Sequence, residues 1–496
     1  AASDVYKRQT LPNGFQLAAL GAVELKGFSE PVEAFRVETA DGFLQRHTAT
    51  SPFGQPLVGR ESELKTLDAL WSTVLNGHGQ SVIIQGEAGI GKTRLVSEFL
   101  RRQTRAPEIA ITLQCFEYRS VSAMFPLQQA LMRAAGFNRD DDTASRRSKL
   151  SGFLEKWCAQ PELALSLFAD LLSIADQSDQ AFLETNVPDR TRLALELFVE
   201  MTLQVSQQGP VVVLLEDAHW ADPSTATYCR LLSERIADQD VLLIISARPE
   251  WRPPEDAFHD ADLIRVDKLM RGESRRMVER AAGTKLSPTT FEAILQRGQD
   301  NPLYLEELAR VAADSKQGDE LPLSIRSSFL ARIDRLGTDR PIIQLLAVLG
   351  TTFSLESLLE ITDSDRSTLM AAMSRLVNAG MLVQNQDAGP DHYQFRHALI
   401  QETAYASVLR STRGKLHNQV AEALLKRLQE NRYADPEVLA RHLSLATRSA
   451  EAIPFWQAAG DRLAGQSAHT EAAQQYEKGL ADVDRLPAGA LRDQHE

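Results

Sequence analysis

The residues best suited to chemistry form one short run, Gly86-Glu87-Ala88-Gly89-Ile90-Gly91-Lys92-Thr93-Arg94. Its first eight positions fit G-x-x-x-x-G-K-[ST], a loop that cradles phosphates. A polyphosphate concentrates negative charge, and backbone N–H groups can wrap it only where no Cβ intrudes, hence the repeated glycine. The Lys92 ammonium would reach the β- and γ-phosphates as a point charge, and the Thr93 hydroxyl would ligate Mg²⁺. A carboxylate partner should stand at the end of a buried strand. Val211-Val212-Val213-Leu214-Leu215 is such a run and ends in Glu216-Asp217. By position Glu216 would hold the metal's shell, and Asp217 would orient or deprotonate water.

The elements around these residues have the required order. Ser81 to Gln85 is a short apolar, β-branched run that reads as a buried parallel strand, and Thr93 to Gln103 has helical spacing with Leu95, Phe99 and Leu100 on one side. The helix start near Lys92 adds partial positive charge to the loop. Glu108 to Gln114 is a second strand candidate, and residues 121 to 207 are mostly helical in pattern, their leucines too dense for a surface helix. Gly209-Pro210 breaks the chain before the 211–215 strand, and Val241 to Ile245 gives another. Strands alternating with helices predict an α/β fold with a parallel sheet. Further on, Leu323 to Leu336, Ile342 to Leu349 and Ser367 to Val377 read as helices. Gly380 to Val383 and Tyr393 to Phe395 read as a β-wing, and residues 415 to 447 are again helical. Gly460, Leu463, Ala472, Tyr476 and Gly479 keep the small/large spacing of a tetratricopeptide helix pair.

Size and composition bound the rest. A chain of 496 residues exceeds one ordinary core. A net charge of −13 argues against nucleic acid as a main partner. Cys115, Cys158 and Cys229 are far apart, show no metal-ligand spacing and fit buried positions in a reducing, cytoplasmic setting. No apolar run approaches a membrane span and no signal peptide is visible. The chain does not open with Met, and Asp4 to Gln9 (DVYKRQ) resembles a translated sequencing adapter, so residues 1–10 are expected to be a scar on a piece of a longer protein.

These motifs together resemble the signal-transduction ATPases with numerous domains (STAND), an AAA-type branch of the P-loop NTPases, over roughly residues 57 to 485. Leu57-Val58-Gly59-Arg60-Glu61-Ser62-Glu63-Leu64 resembles their V-G-R-E-x-E-L entry, which would lay Arg60 against adenine. The same residues also read as a turn opening an amphipathic helix. Asp217 to Thr225 resembles D-x-H-W-A-D-P-x-[ST]; the family's usual Asp is replaced by the longer Glu216, leaving its division of labour with Asp217 open. Within that run Asp222-Pro223 reads as a helix N-cap with proline at the first helical position, and His219 and Trp220 as packing and positioning groups. Arg248 matches the family's γ-phosphate sensor at a strand end, or is a surface arginine. Asn301 to Leu308 resembles G-N-P-[LF]-[FY]-L-E-E-L, whose Pro302 would pack near the base, but Asp300 stands where glycine is usual and puts the local backbone shape in doubt. Phe395 to Tyr405 resembles the closing motif, in which His397 would touch the ADP β-phosphate or serve as a structural histidine. Residues 11 to 40 read as a strand-rich hairpin and resemble the C-terminal tail of class III adenylate/guanylate cyclase domains, whose catalytic residues are missing here.

The implied architecture is an α/β P-loop NTPase followed by a helical lid, a winged helix and tetratricopeptide-like repeats. The boundaries are a cyclase-like tail at 11–40, a linker at 41–56, the ATPase core at 57–255, the lid at 256–320, the winged helix at 321–412 and the repeats at 413–496. The resemblance implies an ATP/ADP- and Mg²⁺-dependent switch with slow hydrolysis in a cyclase-type regulator, open with ATP and closed with ADP. The repeats would bind a protein partner, with no membrane contact and no direct nucleic-acid contact. The alternative is the ATPase module of a LuxR or maltose-activator type transcription regulator without its DNA-binding domain, and a third possibility is a scaffold with an inert loop.

Overall fold

The computed structural model describes residues 57–103, 107, 109–138, 141–187, 189–253, 258, 260–314, 324–384, 391–430 and 434–487, together with the strands Gln16–Val23 (β1) and Val32–Glu38 (β2). These two strands pair antiparallel with a bulge between Ala19 and Gly21, as a hairpin requires. The scar and linker readings at 1–10 and 41–56 lie outside the described residues. The chain divides into two units, one up to Asp267 and one from Lys268 onward.

The first unit is built on a five-stranded parallel sheet of β3 (Gln80–Gln85), β4 (Ile109–Gln114), β5 (Val211–Glu216), β6 (Val241–Ala247) and β7 (Asp262–Arg265), in the spatial order β4-β5-β6-β3-β7. The central strands are apolar on both faces because both faces are covered. Ile83, Val213, Leu215, Leu243 and Ile245 point into one core, and Val82, Ile84, Val212, Leu214, Leu242 and Ile244 into the other. The second of these cores is closed by α1 (Glu61–Val74) and α2 (Lys92–Arg102), where Trp71 meets Phe99 edge-on with ring centroids 6.3 Å apart. Between β4 and β5 the chain inserts five helices: α3 (Phe125–Ala134), α4 (Thr143–Trp157), α5 (Pro161–Leu171), α6 (Gln177–Asn186) and α7 (Arg190–Ser206). They bury the dense leucines against the first core. α8 (Pro223–Arg235) then leads back to β6.

The strand at 241–247 is not the last of the sheet. β7 pairs with β3, so the sheet runs past residue 255, where the core was expected to end, and takes in the first residues assigned to the lid. Its four residues alternate exposed and buried rather than forming a continuous apolar run, because β7 is an edge strand.

The second unit begins with α9 (Arg271–Ala282), α10 (Pro288–Gly298) and α11 (Pro302–Asp314). Next come α12 (Ile325–Arg335), α13 (Arg340–Leu349), α14 (Leu355–Ile361), α15 (Arg366–Asn378) and α16 (Ala398–Ala406). With them goes a small antiparallel sheet of β8 (Thr352–Ser354), β10 (His392–Phe395) and β9 (Leu382–Gln384), in that order. Strands stand where Gly380 to Val383 and Tyr393 to Phe395 were read as extended, together with β8, a third strand too short to stand out in the sequence. Four helices follow: α17 (Arg410–Gln429), α18 (Pro436–Leu445), α19 (Ser449–Gly465) and α20 (His469–Val483). The α19–α20 seam shows why glycine recurs there: a Cβ on Gly460 would run into the Tyr476 ring, and one on Gly479 would press on Trp456 Cβ at 3.2 Å.

Two glycine substitutions should therefore move stability in opposite directions. Gly460→Ala must displace an aromatic ring and should destabilise the second unit by about 1–3 kcal/mol. Gly152→Ala, mid-helix in α4 with open space around it, should stabilise the first unit by about 0.5–1 kcal/mol. Thermal or urea unfolding of each variant reads both signs.

Candidate active site

The loop that follows β3 is shaped by its glycines. A Cβ on Gly86 would come within 2.8 Å of both the Val266 carbonyl and Ile90 Cγ2, so the first loop position has no room for a side chain. Gly89 and Gly91 take φ of 75° and 99°, backbone that glycine adopts without strain. Gly91 is the N-cap of α2 and caps it without a side-chain hydrogen bond, so the first N–H groups of that helix have no side-chain acceptor from the cap. Ile90 is buried and anchors the loop in the α1–α2 core. Lys92 folds its Nζ back to donate to the carbonyls of Gly86 at 2.7 Å and Glu87 at 3.1 Å. Burial lowers the Lys92 pKa, with Asp217 the chief charge opposing that shift.

The parallel register brings the acidic pair to the same edge. Gln85 of β3 sits beside Ala247 of β6, and Leu215 of β5 beside Ile245, so residues 86, 216–217 and 248 leave the sheet side by side. Gly86 N–H donates to the Ala247 carbonyl at 3.2 Å. The Thr93 side chain acts on the Glu216 carboxylate and opposes the rise in its pKa, so the loop and the end of β5 meet here. Burial pushes the Glu216 pKa up to about 7, and the neighbouring Asp217 adds to the shift. Asp217 turns out of the strand with φ 56°, a left-handed conformation rare outside glycine, and its N–H donates to Ser246 Oγ at 3.1 Å. Ser246 is buried and sets this turn, a role the sequence did not suggest. Arg248 follows β6 directly and lies 5.8 Å from the Trp220 ring centroid.

Arg60 serves as a brace. It is only 8 % exposed, has φ 74° at the N-cap of α1, and donates from Nη2 to the Ile90 carbonyl at 3.4 Å and from Nη1 to Glu63 at 3.1 Å. It thus ties the start of α1 to the phosphate loop. Asp222 is the N-cap of α8, as its Asp-Pro pattern implied: its carboxylate accepts from Thr225 N–H at 2.9 Å. The same oxygen also accepts from the Met124 N–H at 2.9 Å, pinning the start of the helical insertion, a link no local pattern could announce.

The remaining two assigned residues belong to the second unit. Pro302 opens α11 behind Asn301, whose Oδ1 accepts from the Leu303 N–H at 3.1 Å. Asp300 does the work of the usual glycine: it adopts φ 58°, and its carboxylate accepts from Ser274 Oγ at 2.7 Å. Aspartate tolerates this region better than most residues, so the turn survives the substitution. His397 is the N-cap of α16, and its pKa is lowered to about 4, first by burial and then by Arg396, Arg310 and Arg332.

Among the described residues no group of three or more His, Cys, Asp or Glu could hold a metal unaided, and no helix is long and apolar enough to cross a membrane. Cys115 and Cys229 are buried and Cys158 is half-buried; none is in a disulfide.

Comparison with known protein families bears on the first unit. The AAA ATPase domain family matches residues 56–245. An uncharacterized protein of Rhizobium meliloti (strain 1021) is 31 % identical over 483 residues, covering 93 % of this chain; the chain spans about half of that relative, 46 % of its length. Among solved structures, similarity extends to a signal transduction ATPase with numerous domains that carries a tetratricopeptide repeat sensor, from Pyrococcus horikoshii. Identity there is 13 %, the TM-score 0.42, and coverage 87 % of this chain and 65 % of that one. A Cdc6p from Pyrobaculum aerophilum matches at 15 % identity and TM-score 0.33, covering 73 % of this chain and 99 % of that one.

The raised pKa of Glu216 gives a sign that can be measured. A carboxyl that titrates near 7 in the fold and at 4.5 when unfolded holds extra protons in the folded state between those values, so the ligand-free fold loses stability as pH rises through that window. Glu216→Gln should therefore raise the unfolding midpoint at pH 8, change it little at pH 4, and weaken Mg²⁺-dependent nucleotide binding. Arg60→Ala should lower both stability and nucleotide affinity, because the loop loses its brace. Thermal unfolding against pH, with and without nucleotide, distinguishes the two variants.

The motif, the parallel sheet with its carboxylates at the strand ends, and the family match over residues 56–245 agree: this chain carries a P-loop ATPase module of the AAA type.

Proposed function

We propose that the module is a nucleotide-dependent switch that binds Mg·ATP at residues 86–94 and hydrolyses it slowly. The observation that carries the proposal is the approach of the Thr93 side chain to the Glu216 carboxylate, which brings two hard oxygen donors together at the mouth of the phosphate loop. That pair suits Mg²⁺, an ion that keeps several waters and binds through one or two protein oxygens plus substrate phosphates. When bound, the ion would neutralise charge on the β- and γ-phosphates. Lys92 would leave the Gly86 and Glu87 carbonyls for the phosphates, which replace those acceptors with stronger, charged ones. Asp217 would take a proton from water as its oxygen attacks the γ-phosphorus, and the bond to the bridging oxygen would break with its electron pair leaving on ADP. Arg248, at the end of the neighbouring strand, would stabilise charge on the γ-phosphoryl oxygens.

On motif resemblance, Pro302 is read as a base contact and His397 as the sensor of the ADP β-phosphate; a neutral His397 would serve as a hydrogen-bonding group rather than a cation. The helices from 413 onward are read as tetratricopeptide-like repeats that bind a protein partner, and the segment around β8–β10 as a winged helix. The hairpin at 16–38 supports a cyclase-type signalling regulator as the parent protein, because its L-G-x-x-x-L-K-G pattern resembles the tail of such domains. The site is expected to work in the cytoplasm, where ATP is available.

Nucleotide binding by the purified chain is the direct test. Lys92→Ala should weaken ATP binding at least tenfold, and Asp217→Asn should retain binding while losing Mg²⁺-dependent phosphate release. Wild-type affinity in Lys92→Ala would overturn the site assignment. Undiminished phosphate release in Asp217→Asn would remove its assigned role.

A further inference from the structure

His219 lies in the short 3-10 turn Ala218–Trp220 that follows Asp217. Both of its ring nitrogens are shielded from solvent, and neither has a hydrogen-bond partner among the described residues. A neutral imidazole offers one N–H and one lone pair. Leaving either unmet inside a protein costs on the order of 1–3 kcal/mol, and native chains tolerate this chiefly where a catalytic role or a further ligand explains it.

The surroundings identify that role. The charges acting on the ring are those of the site itself: Asp217 and Glu250 favour its protonation, while Arg248 and Lys92 oppose it. Burial is the largest influence and, with Arg248 and Lys92, brings the pKa to about 4, so at neutral pH the ring carries one donor and one acceptor. Trp220 lies against it with ring centroids 5.1 Å apart, and Trp220 in turn meets the Arg248 guanidinium. A purely packing residue at this position could be apolar, and a solvated one would face water; His219 does neither. Asp217, two residues back, has its backbone held in the left-handed turn by Ser246, so the direction of its carboxylate is set by side-chain rotation alone.

We infer that His219 is a positioning residue for the hydrolytic step: with nucleotide in the site, its imidazole N–H donates to the Asp217 carboxylate and turns it toward the attacking water. The remaining ring nitrogen stays available to accept from that water. The inference rests on the nucleotide-site reading above. The turn Asp217-Ala218-His219 holds the two residues close together, because Ala218 between them is buried and anchored in the core while the Asp217 N–H is tied to Ser246.

The test separates binding from turnover. His219→Phe preserves ring volume and removes both polar atoms, and His219→Asn and His219→Gln restore an N–H at the Nδ1 and Nε2 positions, respectively. Fluorescent-ADP binding should stay within about twofold of wild type in all three variants. Single-turnover hydrolysis of Mg·ATP should fall by about tenfold to a hundredfold in His219→Phe, the scale on which a misplaced catalytic group acts, and one amide variant should recover part of it. Wild-type hydrolysis by His219→Phe would overturn the inference. So would joint loss of binding and thermal stability in all three variants, which is the mark of a packing residue. A wild-type chain that binds nucleotide but never hydrolyses it would contradict the inference and leave the binding site standing; one that binds none would overturn the site reading itself.

Discussion

Gly86, the Glu216–Asp217 pair and Arg248 stand at the carboxyl ends of parallel strands, and the register of β5, β6 and β3 brings those ends together. Leu215 beside Ile245 and Gln85 beside Ala247 leave Gly86, Glu216, Asp217 and Arg248 no choice but to converge. A slip of one residue in any strand would turn its buried set to the opposite face and pull one group out of the site. Because β5 and β6 are apolar on both faces, the two cores hold that register from both sides. The site is thus precise because the strands beneath it have nowhere else to go.

Within this frame several polar links connect separate elements. Thr93 to Glu216 joins loop to strand, Asp217 to Ser246 joins two strand ends, Arg60 to Ile90 joins the entry helix to the loop, and Asp222 to Met124 joins a helix cap to the inserted helices. Lys92 donates to its own loop carbonyls and can exchange those acceptors for phosphate oxygens without breaking the core. Burial holds the Glu216 pKa up, so its charged form costs stability in the ligand-free fold.

Much of this was legible in the sequence. The loop pattern, the acidic strand end and the Asp-Pro cap are local: each is written in consecutive residues and obeys short-range rules. The parallel sheet was readable because its central strands are unbroken apolar runs. β7 was missed because an edge strand needs no such run, and with it went the true extent of the sheet beyond residue 255. The Arg60 brace and the Asp222–Met124 bond span 30 and 98 residues of sequence, so no spacing could announce them. At Asp300, where glycine is usual in the resembling motif, the backbone takes φ 58° and Ser274 bonds the carboxylate, a detail no local pattern gives. Ser246 was hidden because its significance lies in a hydrogen bond rather than in residue type, and the sequence marked His219 only as a packing and positioning group.

The central claim is that one nucleotide site at residues 86–94 and 216–248 governs the conformation of the whole chain. Hydrogen–deuterium exchange on the purified protein, compared without nucleotide, with Mg·ATP and with ADP, tests it most directly. Both nucleotides should protect the amides of Gly86 to Arg94 and the segment at Glu216–Asp217, and the two nucleotides should give different protection in the second unit around Pro302 and His397. Equal exchange at Gly86 to Arg94 in all three states would contradict nucleotide binding there, and identical patterns with ATP and ADP throughout the second unit would contradict the switch.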